Sequence, residues 1–128
     1  MVEVLLITHG KIAESMQQVA EGIMPDKAKS IHIIPWRLSE GLKNAPENLE
    51  TVIEKIDQGD GVLVLTDICG ATPYNVVKHL TQTTFNEVRV VCGLNLPMLL
   101  RVLNYIEEPL DELAEIASDG GHRGIIVE

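Results

Sequence analysis

The sequence predicts an α/β fold: a mostly parallel, four-stranded sheet with helices on both faces and a short C-terminal strand. Two observations carry this. Short apolar runs alternate with helical patterns along the chain. The runs are apolar at nearly every position rather than at every second one, as in strands buried on both faces. A β-α-β-α order then implies parallel strands joined by crossover helices.

Each element follows in turn. Val2 to Thr8 (VEVLLIT) reads as the first strand. Ile12, Met16, Val19 and Ile23 recur at steps of three and four and form one face of a helix. Ile31 to Ile34 is a second strand, and Pro35 to Asn44 reads as a loop. Leu49, Val52, Ile53 and Ile56 give a second helix face, with Pro46 near its start. Gly59-Asp60-Gly61 breaks the chain, and Gly61 to Thr66 (GVLVLT) is the clearest strand. Asp67 to Thr72 (DICGAT) is a tight loop. Thr72 is a natural N-cap for a helix opened by Pro73 and running to about Leu80. Glu87 to Cys92 is the fourth strand and Gly93 to Asn95 a turn. Helices follow from Pro97 to about Ile106 and from Pro109 to Ser118, the latter ended by Gly120-Gly121. Gly124 to Val127 is the candidate last strand.

With 128 residues, one domain spanning 1–128 is expected. A net charge of −9 and the lack of any basic cluster argue against nucleic acid and anionic membrane surfaces as partners. No apolar run is long enough to span a bilayer, and the first ten residues lack the features of a signal peptide. A cytoplasmic protein with no membrane insertion is expected. Cys69 and Cys92 form no CxxC and read as free thiols. No metal and no cofactor are expected.

Ligands of such sheets bind beyond the carboxyl ends of the strands. That rule selects His9-Gly10, Pro35-Trp36, Asp67 to Thr72 and Gly93 to Asn95. Strands one and three commonly lie side by side at the switch in strand order, so His9 and Asp67 would face each other across one crevice. A neutral imidazole attacks through one ring nitrogen, while a carboxylate on the other fixes the tautomer and stabilises the cation that forms. The helix N-terminus at Thr72-Pro73 favours an anion, and Gly70 permits close backbone approach. Together these make a phosphoryl-transfer site without a nucleotide-binding loop. The bland alternatives stay open: a structural strand-end histidine, and an aspartate that caps a turn. His32, His79 and His122 read as surface or structural residues, and Trp36 as either a loop anchor or part of a docking face.

Three stretches, VLLITHG, GVLVLTDICGATPYN and GLNLPMLL, resemble the mannose-class (mannose/fructose/sorbose type) enzyme IIA of the bacterial sugar phosphotransferase system. The resemblance runs over nearly the whole length. It implies that His9 is phosphorylated on Nε2 and that Asp67 is its hydrogen-bonded partner. It further implies that the Thr72 hydroxyl lines the phosphate pocket, with Gly70 and the Ile68 backbone beside it. The implied donor is the histidine-containing phosphocarrier protein, the implied acceptor a IIB protein or domain, and the implied assembly a homodimer. Ile68 stands where some members carry a threonine, so that hydroxyl is missing. No linker or fused IIB domain follows Glu128, so a separate acceptor, or a regulatory role, is expected. Three alternatives are a carrier feeding a dihydroxyacetone kinase, a non-catalytic anion-binding domain, and a metal site of His9, Asp67 and a cysteine. For the tail, the alternatives are a short edge strand of its own sheet and a strand exchanged between protomers.

Overall fold

A computed structural model describes residues 1–36, 41–68, 78 and 87–128, with the side chains of 35, 36 and 41–48 outside the description. The described elements are β1 (Glu3–His9), α1 (Ile12–Ile23), β2 (Ile31–Trp36), α2 (Gly41–Ile56), β3 (Val62–Thr66), β4 (Val88–Cys92), α3 (Leu96–Asn104) and α4 (Leu110–Arg123). A 3₁₀ turn, Lys27–Ser30, leads into β2. The helix expected from Pro73 lies outside the described residues, apart from Lys78, whose backbone is helical.

The four strands are parallel in the order β2-β1-β3-β4. This is the expected sheet, with strands one and three adjacent at its centre. Ile7 pairs with Thr66 across β1 and β3, and with Ile34 across β1 and β2. Both central strands are buried on both faces, which explains their unbroken apolar runs. Val4, Leu6, Leu63 and Leu65 pack under α1, α3 and α4; Leu5, Ile7, Val62, Val64 and Val88 pack under Leu49 and Ile53 of α2. Each such side chain contributes about 1.5–3 kcal/mol on burial.

Four expectations change. The stripe Ile12, Val19, Ile23 is not the buried face of α1: these side chains are 40%, 42% and 55% exposed. Ala13 and Ala20 are buried instead, each one residue further on and so about 100° round the helix. Alanine lets the helix axis lie close to the sheet, and Met16 bridges the two faces from the edge of the core. Secondly, the stretch to Asn44 is not all loop, since β2 runs to Trp36 and α2 starts at Gly41. Pro46 therefore sits in the second turn of α2, not its first.

Gly120-Gly121 does not end the last helix, which continues to Arg123. The glycines are there for close packing. A Cβ on Gly120 would meet Arg101 Cβ at 2.7 Å, one on Gly121 would meet Met98 Cε at 2.9 Å, and one on Gly124 would meet Pro97 Cβ at 2.3 Å. Those contacts bring α4 against α3 more closely than side chains allow, which offsets the usual penalty of glycine in a helix. Finally, the tail forms no edge strand of its own sheet. After a single 3.2 Å bond from the Ile125 N–H to the His122 carbonyl, residues 125–128 leave the helix without strand structure.

Candidate functional site

β1 and β3 end beside each other at the point where the chain order of the sheet reverses, and each delivers one polar residue there. His9 is the last residue of β1, and Asp67 follows β3 directly. The Asp67 Oδ2 atom lies 2.9 Å from His9 Nδ1 and accepts the His9 main-chain N–H at 3.0 Å. Asp67 Oδ1 accepts the Ile68 N–H at 3.0 Å. One carboxylate thus grips the histidine at ring and backbone and its own loop at the next amide.

Burial of Asp67 works to raise its pKa, but the His9 amide, the His9 ring and its charge outweigh that effect. The carboxyl is held below the ordinary aspartate value and is ionised at neutral pH. An ionised carboxylate only accepts, so in the neutral ring it is Nδ1 that carries the proton and Nε2 that keeps its lone pair. The His9 side chain is 36% exposed and that of Asp67 only 10%, so the ring meets solvent while its anchor is shielded.

Thr8, which sequence reasoning passed over, and Gly10 hold this corner in place. The buried Thr8 Oγ1 accepts the Ala13 N–H at 3.0 Å, capping α1 onto the end of β1. Between them Gly10 adopts φ +54°, the left-handed region, which lets the chain leave the strand and enter the helix within two residues. A threonine at a strand end a few residues before a helix start was the available signal. Thr66, also fully buried, precedes Asp67.

The other spots are less convergent. Ile68 adjoins the pair, but its amide is already bonded to Asp67 and its side chain is 57% exposed. Gly70 and Thr72 lie outside the described residues. Trp36 stands opposite His9 in the β1–β2 register. Gly93, at φ +88°, turns the chain so that the Leu94 N–H bonds the Thr66 carbonyl at 2.9 Å. Asn95 is committed to helix packing: Oδ1 caps α3 at the Met98 N–H (2.9 Å) and Nδ2 reaches the Gly121 carbonyl (3.1 Å). At the opposite, amino end of the strands a cavity of about 590 Å³ is lined by Asp60, Glu87, Glu107, Glu108 and Asp111, a lining that repels anions. Among the described residues no group of three His, Cys, Asp or Glu side chains is placed to hold a metal ion, and no helix is long and apolar enough to cross a membrane.

Residues 3–117 match the EIIA-man family, described as "PTS system fructose IIA component". The chain belongs to this family. As an EIIA-man chain it is similar to the mannose-specific EIIAB component of Escherichia coli K12, with 26% identity over 126 residues. That match covers 97% of this chain and 38% of the relative, so the chain spans little more than a third of the mannose-specific proteins it resembles. It is 27% identical to the fructose-specific EIIA component of Bacillus subtilis 168 over 107 residues, 84% of this chain and 72% of that one. In three dimensions it resembles the mannose/sorbose-specific IIA subunit of the phosphotransferase system from Enterococcus faecalis. The TM-score there is 0.87 at 28% identity, covering 99% of this chain and 94% of that one. By that description the chain is of the phosphotransferase-system IIA component type.

Proposed function

We propose that residues 1–128 form a single IIA phosphocarrier domain in which His9 carries the phosphoryl group on Nε2. The observation that carries this reading is the 2.9 Å contact between Asp67 Oδ2 and His9 Nδ1, which leaves Nε2 unprotonated in a ring open to solvent. The donor is the histidine-containing phosphocarrier protein. His9 Nε2 attacks the phosphorus of its phosphohistidine, an N–P bond forms, and the donor's N–P bond breaks with its electron pair returning to the donor ring. His9 becomes a phosphoimidazolium that keeps its Nδ1 proton, and Asp67 balances the new positive charge. No proton is gained or lost overall. The reverse chemistry hands the group to a IIB acceptor; the name of the E. coli relative, EIIAB, supports that choice. Ile68, Gly70 and Thr72 belong to the loop that would enclose the phosphoryl oxygens.

The protein works in the cytoplasm as a homodimer. Ile125, Ile126 and Val127 are 72%, 74% and 95% exposed, and among the described strands β4 has a neighbour on one side only. A β-branched tail and an unpaired edge are complementary, and pairing between two copies would cover both.

The phosphocarrier reading is tested by incubation with enzyme I, the phosphocarrier protein and phosphoenolpyruvate, followed by intact-mass measurement. One phosphoryl group, stable to base and labile to acid, is expected on the parent and none on His9→Ala. Undiminished labelling of the alanine variant would move the site to another histidine.

A further inference from the structure

Side chains alternate along the two central strands. Leu5 and Ile7 of β1, and Val62 and Val64 of β3, face α2. Continuing the alternation places His9 and Thr66 on that same face. Thr66 stands opposite Ile7 in register, so His9 follows one side-chain repeat, about 7 Å, further toward the carboxyl ends. Thr66 therefore lies on the face of the sheet that carries His9, one repeat before it. It is fully buried, and among the described residues its Oγ1 has no hydrogen-bond partner. Its main chain is occupied, since its carbonyl accepts the Leu94 N–H. The contrast with Thr8 is informative: equally buried and equally near the site, Thr8 Oγ1 is paired with the Ala13 N–H.

Folded proteins leave few buried hydroxyls unpaired, because desolvation is then uncompensated. A valine has the same shape and would fill the Thr66 position without that penalty. The penalty falls one residue from Asp67 and one repeat below His9, where a polar group has a use.

We propose that Thr66 is a reserve donor for the phosphorylated state: its hydroxyl, unpaired among the described residues, donates to a phosphoryl oxygen once the group sits on His9 Nε2. This rests on the phosphocarrier reading. Rotation about χ1 exchanges the hydroxyl and methyl positions without moving the strand, which turns the O–H toward the ring. A hydrogen bond to a charged oxygen belongs to the strong class, and it is made only after transfer. Thr66 therefore favours retention of the group and slows its loss to water.

The test compares the parent, Thr66→Val and Thr66→Ser, each phosphorylated chemically with phosphoramidate so that no protein docking is involved. In the bare state, the unfolding equilibrium constant of Thr66→Val should fall by roughly tenfold in urea titrations, since an unpaired buried hydroxyl is removed. Its phosphohistidine should hydrolyse about tenfold faster, since a charged hydrogen bond is lost. Thr66→Ser should hold its phosphate as long as the parent, while its bare state loses some stability with the buried methyl group. The opposite pair of effects in Thr66→Val is one that a merely structural threonine does not produce. A valine variant that holds phosphate as long as the parent overturns the proposal. So does one less stable than the parent in the bare state, because the hydroxyl would then already have a partner. If the parent takes no phosphate on His9, the phosphocarrier reading itself fails and the proposal falls with it.

Discussion

Asp67→Asn separates the charge of the anchor from its shape. Asp67 accepts three hydrogen bonds: the His9 ring and main-chain N–H groups on Oδ2, and the Ile68 N–H on Oδ1. An amide has one oxygen and one NH₂, so it cannot accept on both sides. With its oxygen toward His9, the NH₂ opposes the Ile68 N–H, and one donor is left unpaired. With its oxygen toward Ile68, the NH₂ opposes the His9 main-chain N–H and donates to the ring. Nδ1 must then accept, the proton moves to Nε2, and the nucleophile is blocked. In the first case the exposed Ile68 N–H turns to water at little cost; in the second the part-buried His9 N–H loses its partner, at about 1–3 kcal/mol; in both the retained bonds lose their charge assistance. A fold destabilised by about 1–3 kcal/mol is expected. Transfer suffers separately. A unit charge about 4 Å from the phosphoimidazolium is worth about 4 kcal/mol at an effective dielectric near 20, and roughly half that where the ring meets water. The barrier should rise by about 2–4 kcal/mol, which slows phosphorylation roughly 30- to 1000-fold. The assay is the initial rate of acid-labile phosphate incorporation by quench, with urea titration to establish that the variant is folded. A folded variant within about threefold of the parent rate, outside the smallest loss calculated here, would reduce Asp67 to a turn residue.

The lowered pKa of Asp67 makes a pH prediction: its stabilising contribution is complete above the unfolded value near 4 and is lost as pH falls through the lower folded value. The urea midpoint of the parent should therefore fall more steeply in that acid range than that of Asp67→Asn, and parallel curves would show that His9 does not hold the carboxyl ionised. Gly124→Ala drives a Cβ into Pro97 and should cost about 1–3 kcal/mol in thermal or urea unfolding. Gly22→Ala, with nothing within 4 Å, should instead stabilise α1 by about 0.5–1 kcal/mol, and the reverse order would refute the packing account of the C-terminal glycines. Truncation after Gly124 leaves α4 whole and should dissociate the proposed dimer on size-exclusion chromatography with light scattering; a monomeric full-length protein at micromolar concentration refutes the exchange.

The sheet was legible because its two central strands are buried on both faces. GVLVLT and VEVLLIT admit little else, and the rule that places the first and third strands together follows from connection chemistry. The helices were less legible because apolar periodicity marks an apolar face without saying what covers it. In α1 the bulky residues Ile12, Val19 and Ile23 dominate the pattern, whereas the alanines beside them make the close contact with the core. Gly120 and Gly121 misled for a related reason. In sequence a glycine pair reads as a break, and only the distance to Arg101 and Met98 shows it as a contact surface between two helices.

The site divides along the same line. His9 and Asp67 could be named from sequence because each ends a recognisable strand, and the sheet order then fixes their meeting without any knowledge of loops. What sequence could not supply is the division of labour among the polar residues around them. Thr8 and Thr66 are the same residue type, both one position before a site residue, both buried. Position in the register separates them. Thr8 falls on the face that meets α1 and spends its oxygen on the Ala13 N–H, so it is part of the frame. Thr66 falls on the His9 face with no partner among the described residues, and the proposal gives it the answer to a change at the ring. A strand period of two thus assigns adjacent polar residues at one strand end to opposite tasks, holding the helix and facing the chemistry.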